Sequence, residues 1–421
     1  MTKEMKDSGF AWIGEIPVNW NIQKVKTAFY RSKAEAHIEN PVVLSLARSG
    51  VKVRDISTNE GQLAESYYNY NPVIAGDLLL NPMDLYSGAN CSVSKVEGVI
   101  SPAYINLRTR GNYSPSFYDY YFKTQYWAMA FFAHGKGVSF DNRWTLSPND
   151  LFNYSMPVPS YEEQVKIASY LDKKCSDIDS VIEKTSMAID EYKKLKQAII
   201  ADAVTKGIRK NRKLKSSGMK WAELIPVEWE SISPKALFTQ RKDKATAGEK
   251  QLTASQQHGV IYQDEYMELT GTRIVTVEKD FDILKHVEAG DFVISMRSFQ
   301  GGLEYSEKSG SISSAYVMLI PDLELVYPCF YKWLFKSSVY INALQSTSNL
   351  VRDGQAMRYS NFAQVRLYTV PLDEQKEIAD YLDKKCAEID TLIEKKTALL
   401  EEMGTYKKSV IYEYVTGKKE V

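Results

Sequence analysis

Several positions carry side chains suited to planar, two-point hydrogen bonding. Arg48 and Ser49 stand just before Gly50-Val51, and Gln256, Gln257 and His258 stand just before Gly259-Val260. Asn81, Asp84, Tyr86 and Ser87 follow a segment opened by Gly76-Asp77, and Arg297, Ser298 and Gln300 follow one opened by Gly290-Asp291. Lys136, Asn142 and Arg143 form a third group, answered by Arg352, Gln355 and Arg358. A guanidinium matches the O6/N7 edge of guanine and a carboxamide the N6/N7 edge of adenine. As groups these loops have the chemistry of a surface that contacts DNA, although any single residue is better explained as a solvated one.

No comparable pattern supports a reaction. Asn81-Pro82-Met83-Asp84 faintly resembles an adenine-methyltransferase motif, but Asp84 stands where an aromatic must stack on the flipped base. Gly135-Lys136-Gly137 lacks the frame of a phosphate loop. Glu191-Tyr192-Lys193 and Glu394-Lys395-Lys396 have a Glu-x-Lys element, yet both fall in long helical segments where such charges are a solvated face. The four cysteines form no CxxC pair and the four histidines are scattered, so neither a zinc site nor a disulfide framework is indicated.

The loops recur because the chain repeats its plan. Ser8-Gly9-x-x-Trp12 and Ile16-Pro17-x-x-Trp20 return as Ser217-Gly218-x-x-Trp221 and Ile225-Pro226-x-x-Trp229. Glu163-Gln164 and Ile167-Ala168-Ser169-Tyr170-Leu171-Asp172-Lys173-Lys174-Cys175 return as Glu374-Gln375 and Ile378-Ala379-Asp380-Tyr381-Leu382-Asp383-Lys384-Lys385-Cys386. Between these markers the halves diverge, although Gly50-Val51, Gly76-Asp77 and Ala103-Tyr104 keep partners at Gly259-Val260, Gly290-Asp291 and Ala315-Tyr316.

The repeated segments read as amphipathic helices. Ile167, Leu171, Cys175, Ile178, Ile182 and Ile189 form one apolar stripe, and Ile378, Leu382, Cys386, Ile389, Ile393 and Leu400 form the other. Ser160 with Glu163 has the capping-box pattern, which the second copy lacks because Leu372 stands there. Each helix runs about 45 residues, roughly 65–70 Å, and helices so long with narrow stripes usually pair with each other. The competing reading packs each helix only on its own domain. Elsewhere, 41–46, 77–80, 274–277, 292–295 and 315–320 read as strands, and 118–132 and 330–344 as helices. This gives two mixed α+β domains at 1–158 and 210–370, with helices at 159–209 and 371–421.

With 44% hydrophobic and 25% charged residues the composition is that of globular protein. Lys+Arg and Asp+Glu both number 53, so any grip on phosphates must come from a local basic surface or from partners. The polar opening Met1–Asp7 and the lack of a long apolar run argue against a signal peptide and a membrane span, and predict a reduced, cytoplasmic protein.

The doubled Ser-Gly-x-x-Trp and Ile-Pro-x-x-Trp openings, each with a later Pro-rich exit into Glu-Gln-x-x-Ile-Ala-x-Tyr-Leu-Asp, resemble the specificity subunits of type I restriction-modification systems over essentially the whole chain. The resemblance implies two target-recognition domains joined by two long helices that pair as an antiparallel coiled coil, in a pseudo-two-fold internal repeat. It implies double-stranded DNA as partner, with each domain reading half of a bipartite asymmetric target. It further implies two methylation subunits and up to two restriction subunits, which would hold S-adenosylmethionine, ATP and Mg. This chain itself would bind no cofactor, metal or small-molecule substrate and catalyse nothing. Two other readings compete: a coiled-coil interaction scaffold without sequence-specific DNA reading, and a self-contained methyltransferase or nuclease.

Overall fold

The computed structural model describes residues 4–57, 64–83, 85–86, 90–137, 144–277, 283–295, 298–347 and 357–421. The chain divides into two compact units, residues 1–186 with 398–421 and residues 187–397. Two long helices, Tyr161–Lys206 and Leu372–Val415, each contribute to both units. Ser160 caps the first as expected, its hydroxyl accepting from the Glu163 backbone N–H at 3.2 Å.

Each unit is built on a four-stranded antiparallel sheet. In the first the order is Phe29–Arg31, Ile105–Thr109, Leu78–Leu80, Cys91–Val93. In the second it is Phe238–Gln240, Val317–Pro321, Phe292–Ile294, Glu304–Tyr305. The repeat legible in the sequence is therefore a repeat of topology. A helix packs aromatic residues against each sheet: Tyr118 and Phe122 meet Phe29, and Tyr331 and Phe335 meet Phe238.

The repeated markers meet at the foot of each unit. Trp20 and Trp229 are fully buried. Their indole N–H groups donate to the Glu of the Glu-Gln pair, Trp20 to Glu163 at 3.0 Å and Trp229 to Glu374 at 3.2 Å. The neighbouring glutamines are buried and doubly used. Gln164 accepts from the Ser114 N–H and donates to the Pro159 carbonyl, both at 2.9 Å. Gln375 accepts from the Tyr327 N–H at 2.6 Å and donates to the carbonyls of Leu325 and Val370. Ser114 and Tyr327 are the N-caps of Pro115–Trp127 and Pro328–Lys336. One amide thus ties a long helix to the domain helix before it, which explains why this dipeptide repeats while the loops do not. The outer tryptophans match as well, with Trp12 Nε1 donating to the Ser155 carbonyl and Trp221 Nε1 to that of Arg366.

Within each unit the long helices pair antiparallel. In the first, the Tyr170 and Tyr414 hydroxyls lie 3.1 Å apart and Lys407 pairs with Asp179 at 2.6 Å. In the second, Lys196 pairs with Asp390 at 2.6 Å, and Ile200 and Val204 share a core with Ile378 and Leu382. Advancing along one helix retreats along the other in both.

The predicted stripe is buried, but not by helix pairing alone. Ile167, Leu171 and Cys175 share a core with Val410, Ile411 and Val415 of the other helix and with Ile16, Trp20, Phe117 and Tyr118 of the globular part. Ile378, Leu382 and Cys386 are placed likewise among Ile200, Val204, Trp229 and Phe330. Further along, Ile178, Ile189 and Ile389 are buried, while Ile182, Ile393 and Leu400 are only half-buried. A helix pair alone covers a narrower strip than a domain does. Burial also pushes the thiols of Cys91, Cys175 and Cys386 up.

Three local expectations are corrected. Residues 274–277 form no strand; the Gln251 side chain instead bonds both the N–H and the carbonyl of Val277, at 2.9 and 2.6 Å, and Val275 is 89% exposed. The helix expected over 118–132 breaks at Met129, which is left-handed with φ of 57°. The helix expected over 330–344 breaks at Ser337, whose extended backbone ends one helix while its hydroxyl caps Ser338–Gln345.

Candidate nucleic-acid interface

Each unit carries a β-hairpin over a second, smaller core. In the first unit Leu44–Ala47 pairs with Gly50–Val53, and the tip is Arg48-Ser49. Leu44 and Leu46 are buried with Val73, Leu79 and Ile100. In the second unit Leu252–Ser255 pairs with Gly259–Tyr262, and the tip is Gln256-Gln257-His258. Leu252 and Val260 are buried with Val287, Val293, Ile312 and Met318. The apolar alternation of each hairpin fastens one face to a core, and the tip is left outside it.

The other predicted loops lie next to these hairpins. A Cβ on Gly50 would come within 3.3 Å of Ser92 Oγ, so the first tip abuts the strand that ends the 81–90 loop. That loop touches residues flanking the third group, since the Leu146 N–H donates to the Pro82 carbonyl at 2.8 Å and Leu85 lies against Gly135. In the second unit a Cβ on Gly301 would fall 2.5 Å from the Gln256 side chain, and Gly302 abuts the Phe335 carbonyl. The second tip, the helix Ser298–Gly301 and the domain helices are therefore contiguous.

The predicted residues divide into three sets. Arg48, Ser49, Tyr86, Lys136, Gln256, Gln257, Gln300 and Arg358 are exposed, and His258 is half-buried. The Tyr86 ring sits 6.3 Å from Phe132, Lys136 lies 3.7 Å from Asp150, and Arg358 precedes Tyr359–Gln364 with its N–H bonded to Asn361. One residue is corrected. Ser298 is 1% exposed and its hydroxyl accepts from the Ser295 N–H at 2.9 Å, so it holds the start of its short helix instead of facing solvent. Asn81 is half-buried, and its side chain accepts from the Met83 N–H at 2.9 Å to shape a turn. Asp84, Ser87, Asn142, Arg143, Arg297, Arg352 and Gln355 lie outside the described residues.

Beneath the loops sits a matched pair of buried ion pairs. Asp77 receives Arg108 at 2.7 and 3.0 Å and Asn106 at 2.8 Å. Asp291 receives Arg241 at 2.6 and 3.0 Å. The aspartates occupy equivalent places, but the arginines do not: Arg108 lies on the strand Ile105–Thr109 and Arg241 just past Phe238–Gln240. Each carboxylate also accepts from the turn before it, Asp77 from Ile74 and Asp291 from Glu288. The Gly-Asp marker therefore fixes the strand that leads into the second loop.

Sequence reasoning passed over Lys52, exposed on the first hairpin, and a lysine cluster around the second. Lys250 and Lys308 flank the Tyr262 ring at 4.3 and 4.6 Å. Lys332 and Lys336 line a cleft of about 330 Å³ with His258 and Glu304. Burial pushes the Glu304 carboxyl up against the pull of Lys336, its ion-pair partner. These lysines are spread along the chain, and only the fold assembles them.

No family model matches the chain. It is 24% identical over 286 residues to a protein of Methanocaldococcus jannaschii described as the specificity subunit of the type I restriction enzyme MjaX. That match covers 66% of this chain and spans 62% of the relative's length. It is 22% identical over 395 residues to the type I restriction enzyme EcoBI specificity subunit of Escherichia coli, covering 87% of this chain and 79% of that one. Its fold matches a chain from a type I R-M system solved for complex assembly and conformational transition, with TM-score 0.69, 14% identity, and coverage of 96% and 99%. It also matches the HsdS subunit of Thermoanaerobacter tengcongensis, with TM-score 0.54, 14% identity, and coverage of 96% and 98%. Relatives and folds converge where the doubled markers pointed: the chain is similar in sequence to type I restriction enzyme specificity subunits and shares the fold of an HsdS subunit.

Proposed function

We propose that the chain is the DNA-recognition subunit of a type I restriction-modification complex, each unit reading one half of a bipartite, asymmetric duplex target. The observation that carries this is one scaffold built twice with different loops. The same sheet order, the same Trp–Glu bond and the same buried aspartate support Arg48-Ser49 in one unit and Gln256-Gln257-His258 in the other. A repeated scaffold serves a repeated task, and unlike loops read unlike halves.

In this reading the chain supplies the address and its partners the chemistry. Methylation subunits, two per complex, dock on the long helices, and up to two restriction subunits join them in the cytoplasm. S-adenosylmethionine, ATP and Mg belong to those subunits. The test is selection from a random duplex library by the chain assembled with its methylation subunit. Two fixed blocks separated by a constant gap are expected. A single continuous block would contradict two-part reading, and no enrichment would favour a coiled-coil scaffold that does not read DNA.

A further inference from the structure

We infer that the two hairpin tips read different bases, Arg48 a guanine in one half-site and Gln257 an adenine in the other; this rests on the two-part reading proposed above. The hairpins have the dimensions for it, because a two-stranded ribbon fits the major groove of B-DNA. They are also held in place. The first is fastened by Leu44 and Leu46 in their small core and by a bridge from Val43 to Val99. Gly50, at φ of 108°, turns the chain where a side chain would be strained and would crowd Ser92. A reading side chain on such a support loses less freedom on binding than one on a long loop.

The chemistry of the two tips differs at the same place in the scaffold. Arg48 is exposed and has neither a hydrogen-bond nor an ion-pair partner among the described residues, so its fork of donors is uncommitted there. Residues 44–54 contain Arg48, Lys52 and Arg54 and no carboxylate. A cationic ribbon with an uncommitted guanidinium at its tip suits the paired acceptors O6 and N7 of guanine, while exposed Lys52 lies toward the phosphates. In the second unit the tip carries no arginine or lysine. Gln256 is packed against Gly301, and the His258 ring lies 6.0 Å from Tyr266. Gln257 is exposed between them; its backbone N–H is bonded to Ser255 Oγ while its side-chain amide has no partner among the described residues. One carboxamide acceptor and one donor match the N6 and N7 pair of adenine.

The experiment maps N6-methyladenine in DNA from cells that express the full chain with its methylation subunit, as wild type, R48A, R48K and Q257A. The wild-type motif is expected to hold a guanine in one half that R48A makes degenerate, with discrimination there falling roughly 10- to 100-fold and the other half unchanged. Q257A is expected to relax one adenine position in the other half only. R48K, which keeps charge without the fork, is expected to weaken preference at the same guanine. A uniform drop in methylation with an unchanged motif in R48A, or full restoration by R48K, would assign Arg48 to phosphate and overturn the inference. So would relaxation of the same half by R48A and Q257A. A wild-type chain that yields no two-part motif would sink the proposed function itself, a result distinct from these.

Discussion

Gln375 shows how much one amide can hold. It serves Tyr327, Leu325 and Val370 at once in a site closed to water. Gln375→Ala is expected to cost roughly 2–4 kcal/mol, since buried backbone groups lose their partner, and a urea titration would show it as a lower midpoint. The Arg241–Asp291 pair makes a sharper case. Arg241→Ala strands a buried carboxylate and is expected to destabilise by about 3–5 kcal/mol, whereas replacing both residues with apolar ones of similar size should recover much of the loss. His286 supplies a pH dependence. Burial pulls its pKa down, but hydrogen bonds to Glu249 and Glu288 at 3.0 Å outweigh this and leave it raised. A raised folded-state value stabilises fully below the ordinary histidine range and is lost as pH rises through the folded value. The second unit should therefore be more resistant to denaturant near pH 6 than near pH 8, and H286N should flatten that difference. The lowered carboxyls of Glu249 and Glu288 act in a separate window, being lost only as pH falls below about 4.5.

At the scale of elements, what was legible followed from period and capping. The stripe from Ile167 to Ile189 required a helix, and Ser160 with Glu163 marked its start. Ser160→Ala should cost about 1 kcal/mol, read by thermal unfolding with the helix signal as probe. The helix breaks at Met129 and Ser337 were not legible, because neither residue type demands a break and tertiary packing decides both. Residues 274–277 misled for a related reason: β-branched residues suit a strand, yet a strand needs a backbone partner and Gln251 supplies only a side chain. Among candidate readers, Arg48 and Gln257 were visible as loop positions ahead of Gly50 and Gly259, while the hairpins that carry them were not. Ser298 was not distinguishable, since a serine at a helix start and a serine facing a ligand look alike in sequence.

For the whole molecule, the repeat was the most informative feature, because matched markers at Trp20/Trp229 and Gln164/Gln375 define one foundation used twice. The candidate reading residues differ in the loops above it, and there the sequence names residue types without assigning them to bases or phosphates. The source of each aspartate's arginine was equally hidden, Arg108 and Arg241 reaching equivalent buried aspartates from different places in the sheet. The central claim is that two unlike readers on one repeated scaffold set a two-part address. Its most direct test exchanges the first unit's hairpin, residues 44–53, for the second unit's, residues 252–262, and maps N6-methyladenine in cells that also express the methylation subunit. The account predicts that one half of the motif changes, while the other half and the gap between them stay as in the wild type. Changes in both halves, or a motif without two parts, would contradict it.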